Sequence, residues 1–353
     1  MRQDVLNLTP YKPSKAVCEI KLDANENPYE IPNEVKQRIE KRIKNEKLNF
    51  YCDASCDELR GQLSIYTGLK PEQIFVGSGG DEIISDLIFA FAGPGRDVII
   101  PVPSFGSYET FARISGANVI KVPLLLEEAN GNFSWDLDVA GIKRYFRSDI
   151  PQLMFLCYPN NPTGDYFDEQ KMFDLIDSFN GIIVIDEAYF EFGGKTFSDR
   201  LSDYPNIVIV RTFSKAFCIA GLRVGYALGH EDVIEQFYKV KLPYNVNTYS
   251  QIAATEILKN IEWVKKTTVG LIESRDKLVN ELKKLDGITV YPSSTNFLLC
   301  KLKKSRDYVY EQLLDRGILT RRLNGENLDN TLRFNVGTPE QNDKLLMAFK
   351  QIL

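Results

Sequence analysis

Between residues 73 and 229, short β-branched runs alternate with stretches of helical periodicity. No other feature restricts the fold as much. The expected strands are Gln73–Val76, Asp97–Val102, Asn118–Val122, Gln152–Tyr158, Gly181–Asp186, Asn206–Arg211 and Gly225–Leu228. Helical patterns follow several of them, such as Asp81–Ala92 and Glu169–Ser178. A run like Ile182-Ile-Val-Ile185 has no polar alternation, so both faces of its sheet must be covered. Strands and helices in this order predict an α/β fold with a mostly parallel sheet. After Pro243 the character changes. A helical stretch over Ser250–Leu285 leads to short strands at Ile288–Tyr291, Asn296–Cys300 and Thr331–Val336, a smaller α+β domain. The expected division is an N-terminal arm with part of the small domain (1–45), a large domain (46–245) and a small C-terminal domain (246–353). The arm is rich in Pro and Asn and has no core pattern, so it is expected to lie across another part of the molecule.

In open parallel sheets, ligands bind outside the carboxyl ends of the strands. The conspicuous polar residues follow such ends: Gly77-Ser-Gly-Gly80, Pro103-Ser-Phe105, Asn160-Asn161, Asp186 and Ser214-Lys215. The run Arg211-Thr-Phe-Ser-Lys-Ala-Phe-Cys-Ile-Ala-Gly-Leu-Arg-Val-Gly225 carries the most chemistry. The Lys215 amine can form a Schiff base with an aldehyde, while Ser214 and Arg223 hold a phosphate beside it. An aldehyde bearing a phosphate describes pyridoxal 5'-phosphate (PLP), which supplies an electron sink. In isolation, Lys215 reads more readily as a solvated surface charge, and what favours the chemical reading is its company elsewhere in the chain.

Other motifs read in the same two ways. Asp186 can pair with a protonated ring nitrogen, or cap a turn. Tyr189 can hydrogen-bond a phenolic oxygen, or simply pack. In Pro159-Asn-Asn-Pro-Thr-Gly164 two prolines stiffen a turn from which the Asn161 amide can donate. Gly77-Ser-Gly-Gly-Asp-Glu82 opens a helix, and free amides at a helix start hold phosphate. Its spacing is neither a dinucleotide fingerprint nor a P-loop. The Asp81 carboxylate would repel a phosphate, so its backbone amide or a capping role fits better. Phe105 can stack on a flat ring or fill core.

Composition removes several function classes. A net charge of -5 argues against a nucleic-acid surface. The basic cluster Lys36–Lys47 alternates with Val35, Ile39, Ile43 and Leu48, as on the solvated face of an amphipathic helix. The most apolar stretch, Ile83–Ala92, is too short for a bilayer and contains Asp86. The first residues show no signal-peptide core. Six scattered cysteines and one histidine, His230, offer no metal site and suggest reduced thiols in the cytoplasm.

Taken in order, Gly-Gly-Asp-Glu, Pro-Ser-Phe, Asn-Asn-Pro-Thr-Gly, Asp-Glu-Ala-Tyr and Ser-Lys-Ala-Phe-x-x-Ala-Gly-Leu-Arg resemble the fold-type I PLP-dependent aminotransferases. Within them the chain is most similar to the histidinol-phosphate aminotransferases. The resemblance runs from Asn7-Leu-Thr-Pro-Tyr11 and Leu22-Asp-Ala-Asn-Glu-Asn-Pro28 to Leu332-Arg-Phe-Asn-Val-Gly-Thr338. It implies that Lys215 holds PLP and moves the proton, that Asp186 pairs with the ring nitrogen, and that Asn161 and Tyr189 contact the phenolic oxygen. It implies that Phe105 stacks on the ring, where many relatives carry Tyr. Gly80 and Asp81 (through backbone), Thr212, Ser214 and Arg223 are then the phosphate seat. Tyr51 matches a tyrosine that reaches the cofactor phosphate of the neighbouring subunit, which implies a homodimer; relatives follow it with Pro, where this chain has Cys52. For substrate, Arg333 matches the carboxylate-binding arginine. Arg321 and Tyr11 are the added candidates for a phosphate ester, with Arg322 not separable from Arg321. Asn25 and Glu26 are placed at the imidazole end. The implied reaction is amino transfer between L-histidinol phosphate and 2-oxoglutarate. An aromatic amino-acid aminotransferase and a lyase resembling threonine-phosphate decarboxylase are the alternatives on the same fold.

Overall fold

A computed structural model of the chain describes residues 3–6, 8–10, 12, 14–129 and 132–353. Its centre is a seven-stranded sheet of β1 (Ile74–Gly77), β2 (Asp97–Val102), β3 (Asn118–Pro123), β4 (Gln152–Cys157), β5 (Gly181–Asp186), β6 (Ile207–Thr212) and β7 (Gly225–Gly229). The spatial order is β1-β7-β6-β5-β4-β2-β3. All neighbouring pairs are parallel except those of β7, which runs antiparallel to both β1 and β6. The link from β6 to β7 holds only a short 3-10 turn, too little for the crossover a parallel pair needs.

Alternate strand residues feed two cores, one on each face. Ile74, Val76, Ile99, Met154, Ile183, Ile185, Ile207 and Ile209 pack in one. Phe75, Val98, Ile100, Phe155, Val184, Val208 and Val210 pack in the other, against Ile83, Ile84, Leu87 and Ile88 of the helix Gly79–Phe91. Double-sided burial is the physical reason these strands lack polar alternation.

A second, four-stranded antiparallel sheet holds β8 (Ile288–Val290), β9 (Phe297–Leu302), β10 (Arg321–Arg322) and β11 (Thr331–Asn335), in the order β8-β9-β11-β10. Its core also takes Ile20 and Leu22 from the N-terminal segment. Ile20–Lys21 pairs in parallel with Ile318–Leu319. The segment thus enters the molecule by strand addition, which no local periodicity announces.

Two expectations need correction. The helical stretch over Ser250–Leu285 is two helices, Thr248–Leu258 and Ile261–Leu282, broken at Lys259-Asn260. The first helix packs with the large sheet through Ile252, Ala253 and Ile257, while the second passes from that core (Val264, Leu271) to the small one (Leu278, Leu282). Leu48 is not on the apolar face of the basic helix. That helix spans Asn33–Asn45 and buries Val35 and Ile39, while Leu48 lies beyond its end and is exposed. His230 caps the helix Glu231–Val240, its Nδ1 accepting from the Asp232 N–H. Among the described residues no helix is long and apolar enough to cross a membrane. None of the six cysteines is in a disulfide.

Candidate active site

The strand ends β1, β4, β5 and β6 meet the N-terminal segment and β11 around Lys215. Lys215 is partly buried, and its Nζ donates to the Ala24 carbonyl at 3.0 Å. Burial and the positive charges of Arg333 and Arg223 push this amine down to about 8, against the pull of Glu26 and Asp81. Asn27 clamps the backbone beside it, its Nδ2 reaching the carbonyls of Lys215 (3.2 Å) and Ala216 (3.3 Å). The arm therefore lies across the lysine loop. Asn25 sits in the left-handed region (φ 54°), a conformation Asn tolerates. From there its Nδ2 donates to the Tyr189 hydroxyl at 2.8 Å.

Asp186 ends β5 opposite Cys157 of β4 and is buried. One oxygen accepts from the Ala188 N–H at 3.0 Å, the other from the Tyr108 hydroxyl. Burial raises its carboxyl to about 6, with those two bonds pulling the other way. Burial also lifts Tyr189 above the usual tyrosine range, so its proton stays on. Asn161, in the turn after β4, accepts from Arg333 Nη1 on its Oδ1 at 2.7 Å. Arg333 Nη2 donates to the Asp23 carbonyl at 3.0 Å, so one guanidinium ties β11 to both the arm and the large sheet.

A candidate phosphate seat lies at the start of the helix Gly79–Phe91. The N-cap residue, Ser78, makes no side-chain cap, leaving the first amides without a partner of that kind. Arg223 spans the gap to the lysine loop, with Nη1 on Ser214 Oγ (3.3 Å) and Nη2 on Asp81 Oδ2 (3.1 Å). Thr212 Oγ1 lies 3.0 Å from Ser214 Oγ and accepts from the Ser214 N–H at 3.1 Å. The Asp81 carboxylate is turned to Arg223 and to the Ser107 hydroxyl (3.1 Å), so it is not the helix cap. The approach is tight: a Cβ at Gly79 would stand 2.5 Å from the Arg223 guanidinium, and one at Gly225 2.7 Å from the Gly79 carbonyl carbon. Uncapped amides, two hydroxyls and one guanidinium around a glycine-only gap fit a phosphate. Lys215 and the buried Asp186 carboxylate fit an aldehyde and a ring nitrogen. The residues present suit PLP.

Phe105 meets Tyr108 edge-on at 5.6 Å between centroids. Arg321 and Arg333 are cross-strand partners on β10 and β11, so their side chains share a face. Arg322 takes the opposite face, over the Tyr310 ring at 4.0 Å and hydrogen-bonded to Asp307 and Glu311. Glu26 pairs with Lys21. Tyr51 stands apart from this cluster: its ring is 81% exposed and stacked on Tyr244 at 4.3 Å. Tyr11 falls outside the described residues. Sequence reasoning missed Tyr108, Asn27 and the buried Arg211–Glu187 pair (2.8 Å). Tyr108 had a signal, since it follows the candidate ring-stacking Phe105 by three residues, in the first turn of the helix Ser107–Ser115.

Residues 18–349 match the family described as aminotransferase class I and II. A histidinol-phosphate aminotransferase of Caldanaerobacter subterraneus subsp. tengcongensis is 41% identical over 356 residues, covering 100% of this chain and 98% of the relative. The crystal structure of the histidinol-phosphate aminotransferase from Clostridium acetobutylicum superposes with a TM-score of 0.84 at 28% identity, over 94% of this chain and 98% of that one. That of Sinorhizobium meliloti, in complex with pyridoxal-5'-phosphate, gives 0.86 at 22% identity over 100% and 97% of the two chains. With residues that suit PLP and similarity over its full length, the chain belongs to the class I and II aminotransferases and, within them, to the histidinol-phosphate aminotransferase family.

Proposed function

We propose that the chain moves the amino group between L-histidinol phosphate and 2-oxoglutarate, giving imidazole-acetol phosphate and glutamate, in histidine biosynthesis. The observation that carries this reading is the cross-strand pair Arg321–Arg333. An α-carboxylate needs one guanidinium; a phosphate ester, a dianion, is better met by two. Asn25 and Glu26, on the arm beside Lys215, take the imidazole end.

When bound, PLP would supply an aldehyde for the substrate amine and a ring able to take up electrons. The chain's residues do the rest. Lys215 Nζ, neutral above about pH 8, takes the proton from the carbon bearing the substrate's amine and returns it at C4' of the cofactor. Asp186 faces the ring nitrogen as an anion. Asn161 has its Oδ1 engaged by Arg333, so its Nδ2 is the end that donates to the phenolic oxygen. Tyr189 accepts from Asn25 and so keeps its own proton to donate there. Ser214 accepts from Arg223 and likewise has its proton for the phosphate, beside the Gly80 and Asp81 amides and Thr212. Phe105 covers the ring.

The reading includes a homodimer in which Tyr51 reaches the partner's cofactor phosphate. Exposed Leu48, Phe50, Tyr51, Leu242 and Tyr244 support it. Six cysteines outside any disulfide support a cytoplasmic location. For the domain boundary we favour a point after Leu258, because the helices Asn33–Asn45 and Thr248–Leu258 pack together in the large sheet's core.

The test is a half-reaction without keto acid. L-Histidinol phosphate should discharge the enzyme's visible absorbance much faster than phenylalanine or tyrosine; discharge by the amino acids alone would remove the substrate assignment. For the dimer, inactive Lys215→Ala and Tyr51→Ala enzymes are dissociated and mixed. Recovered activity is expected, and none would remove Tyr51 from the partner's site.

A further inference from the structure

Tyr108 lies in the first turn of the helix Ser107–Ser115 and is fully buried. Its ring stacks on Phe155 at 4.5 Å with the planes 11° apart, and Phe105 packs on it edge-on. A phenylalanine would satisfy all of that packing. The hydroxyl instead donates to the Asp186 carboxylate, with the neutral Cys157 thiol as a second neighbour within hydrogen-bonding reach. A buried hydroxyl without a partner is costly, so its direction is set by that bond.

We propose that Tyr108 is the positioning residue of Asp186, holding its carboxylate ionised and in the rotamer that faces the cofactor's ring nitrogen. This rests on the PLP reading. Each carboxylate oxygen offers two acceptor sites. The Ala188 N–H takes one site on Oδ1 and Tyr108 one on Oδ2, which fixes the plane of the group and leaves the other sites for the ring N–H. The backbone amide alone is a single point and would leave the group free to rotate. Nearby acids oppose the anion. Asp81 at the helix start and the adjacent Glu187 both disfavour its charge. Cys157 across on β4 and Tyr189 face it with their own ionisation pushed upward, hence neutral, and β6 presents only Val210. Tyr108 thus draws the Asp186 carboxyl downward, more strongly than the Ala188 amide does.

The experiment measures PLP binding to the apo form of the full-length enzyme by equilibrium dialysis. Wild type, Tyr108→Phe, Asp186→Asn and the double variant are compared, with Lys215→Ala alongside. Tyr108→Phe should weaken PLP roughly 10- to 100-fold, the range for a hydrogen bond to a charged group. In the Asp186→Asn background the same change should add less than about twofold, because a residue acting through Asp186 has nothing left to act on. The acid limb of PLP affinity should also move to higher pH in Tyr108→Phe, since losing the donor raises the Asp186 carboxyl. A merely structural role would lower thermal stability without moving that limb. Losses that multiply in the double variant, or an unmoved acid limb, overturn the proposal. A fluorinated tyrosine at 108, a stronger donor of nearly the same size, should shift the limb to lower pH. It covers the case in which Tyr108→Phe does not fold, and no shift there is equally decisive. If wild type binds PLP no better than Lys215→Ala, the cofactor reading itself has failed, which none of the Tyr108 results can mimic.

Discussion

Gly225→Ala is the sharpest test of the phosphate seat. Gly225 starts β7 and pairs with Thr212 on β6 and Gly77 on β1. An added Cβ would lie 2.7 Å from the Gly79 carbonyl carbon and 2.8 Å from the Gly80 nitrogen. Ordinary contact begins near 3.4 Å, so β7 and the helix start must part by about 0.7 Å. Both obstacles are backbone, and no side chain can swing aside. The overpacking costs about 1–3 kcal/mol. It falls on the Gly80 amide and its neighbour Asp81, the groups assigned to the phosphate. A displacement approaching 1 Å at such a site weakens function on the order of tenfold to a hundredfold. PLP affinity by equilibrium dialysis, with thermal melting beside it, reads both effects. Gly270→Ala is the control. Gly270 is inside the helix Ile261–Leu282 with nothing within 4 Å of its added Cβ. That change should raise stability by about 0.4–1 kcal/mol and leave PLP affinity alone. If Gly225→Ala binds PLP as wild type does, the helix start is not the seat and the geometric argument fails.

Three further outcomes follow from the same geometry. Arg321→Ala should weaken histidinol phosphate far more than phenylalanine in steady-state kinetics, while Arg322→Ala, on the opposite face, should change both by less than about twofold; equal losses would take Arg321 out of phosphate recognition. Lys215 favours its neutral form in the fold, so capture of PLP by the apoprotein should rise as pH climbs through about 8, and the stability linked to this lysine should grow from about pH 8 toward 10.5, where an unfolded lysine titrates. A stopped-flow capture profile centred near 10.5 would contradict this. Glu187→Ala strands the buried Arg211 guanidinium, which Glu187 now binds at 2.8 and 3.0 Å, and should cost about 3–5 kcal/mol in urea denaturation. A loss below about 1 kcal/mol would mean the pair is not desolvated.

The seven strands of the large sheet lie within one residue of where the sequence puts them; in all but the edge strand β3, burial on both faces leaves a largely apolar run between turn residues. The site is legible for a related reason: Asp186, Asn161 and Lys215 each follow such a run, and the fold's geometry sends them to one edge. Legibility ends where a residue's role depends on a distant partner. Residues 22–27 match neither a helix nor a strand template, because their value lies in single bonds: Ala24 to Lys215, Asn25 to Tyr189, Asn27 to the lysine loop. The passage of the helix Ile261–Leu282 from one core to the other likewise depends on partners far apart in sequence. The arginines are the clearest instance. Arg321 and Arg322 are the same residue type in adjacent positions, so composition, charge and motif treat them alike. Only the register of β10 against β11 separates them, placing Arg321 opposite Arg333. Side chains alternate strictly along a strand, so a slip of one residue would exchange the two and send the wrong guanidinium to the substrate. On the proposed reading, substrate choice rests on a strand pairing only two residues long, with Arg322 turned outward to Asp307 and Glu311.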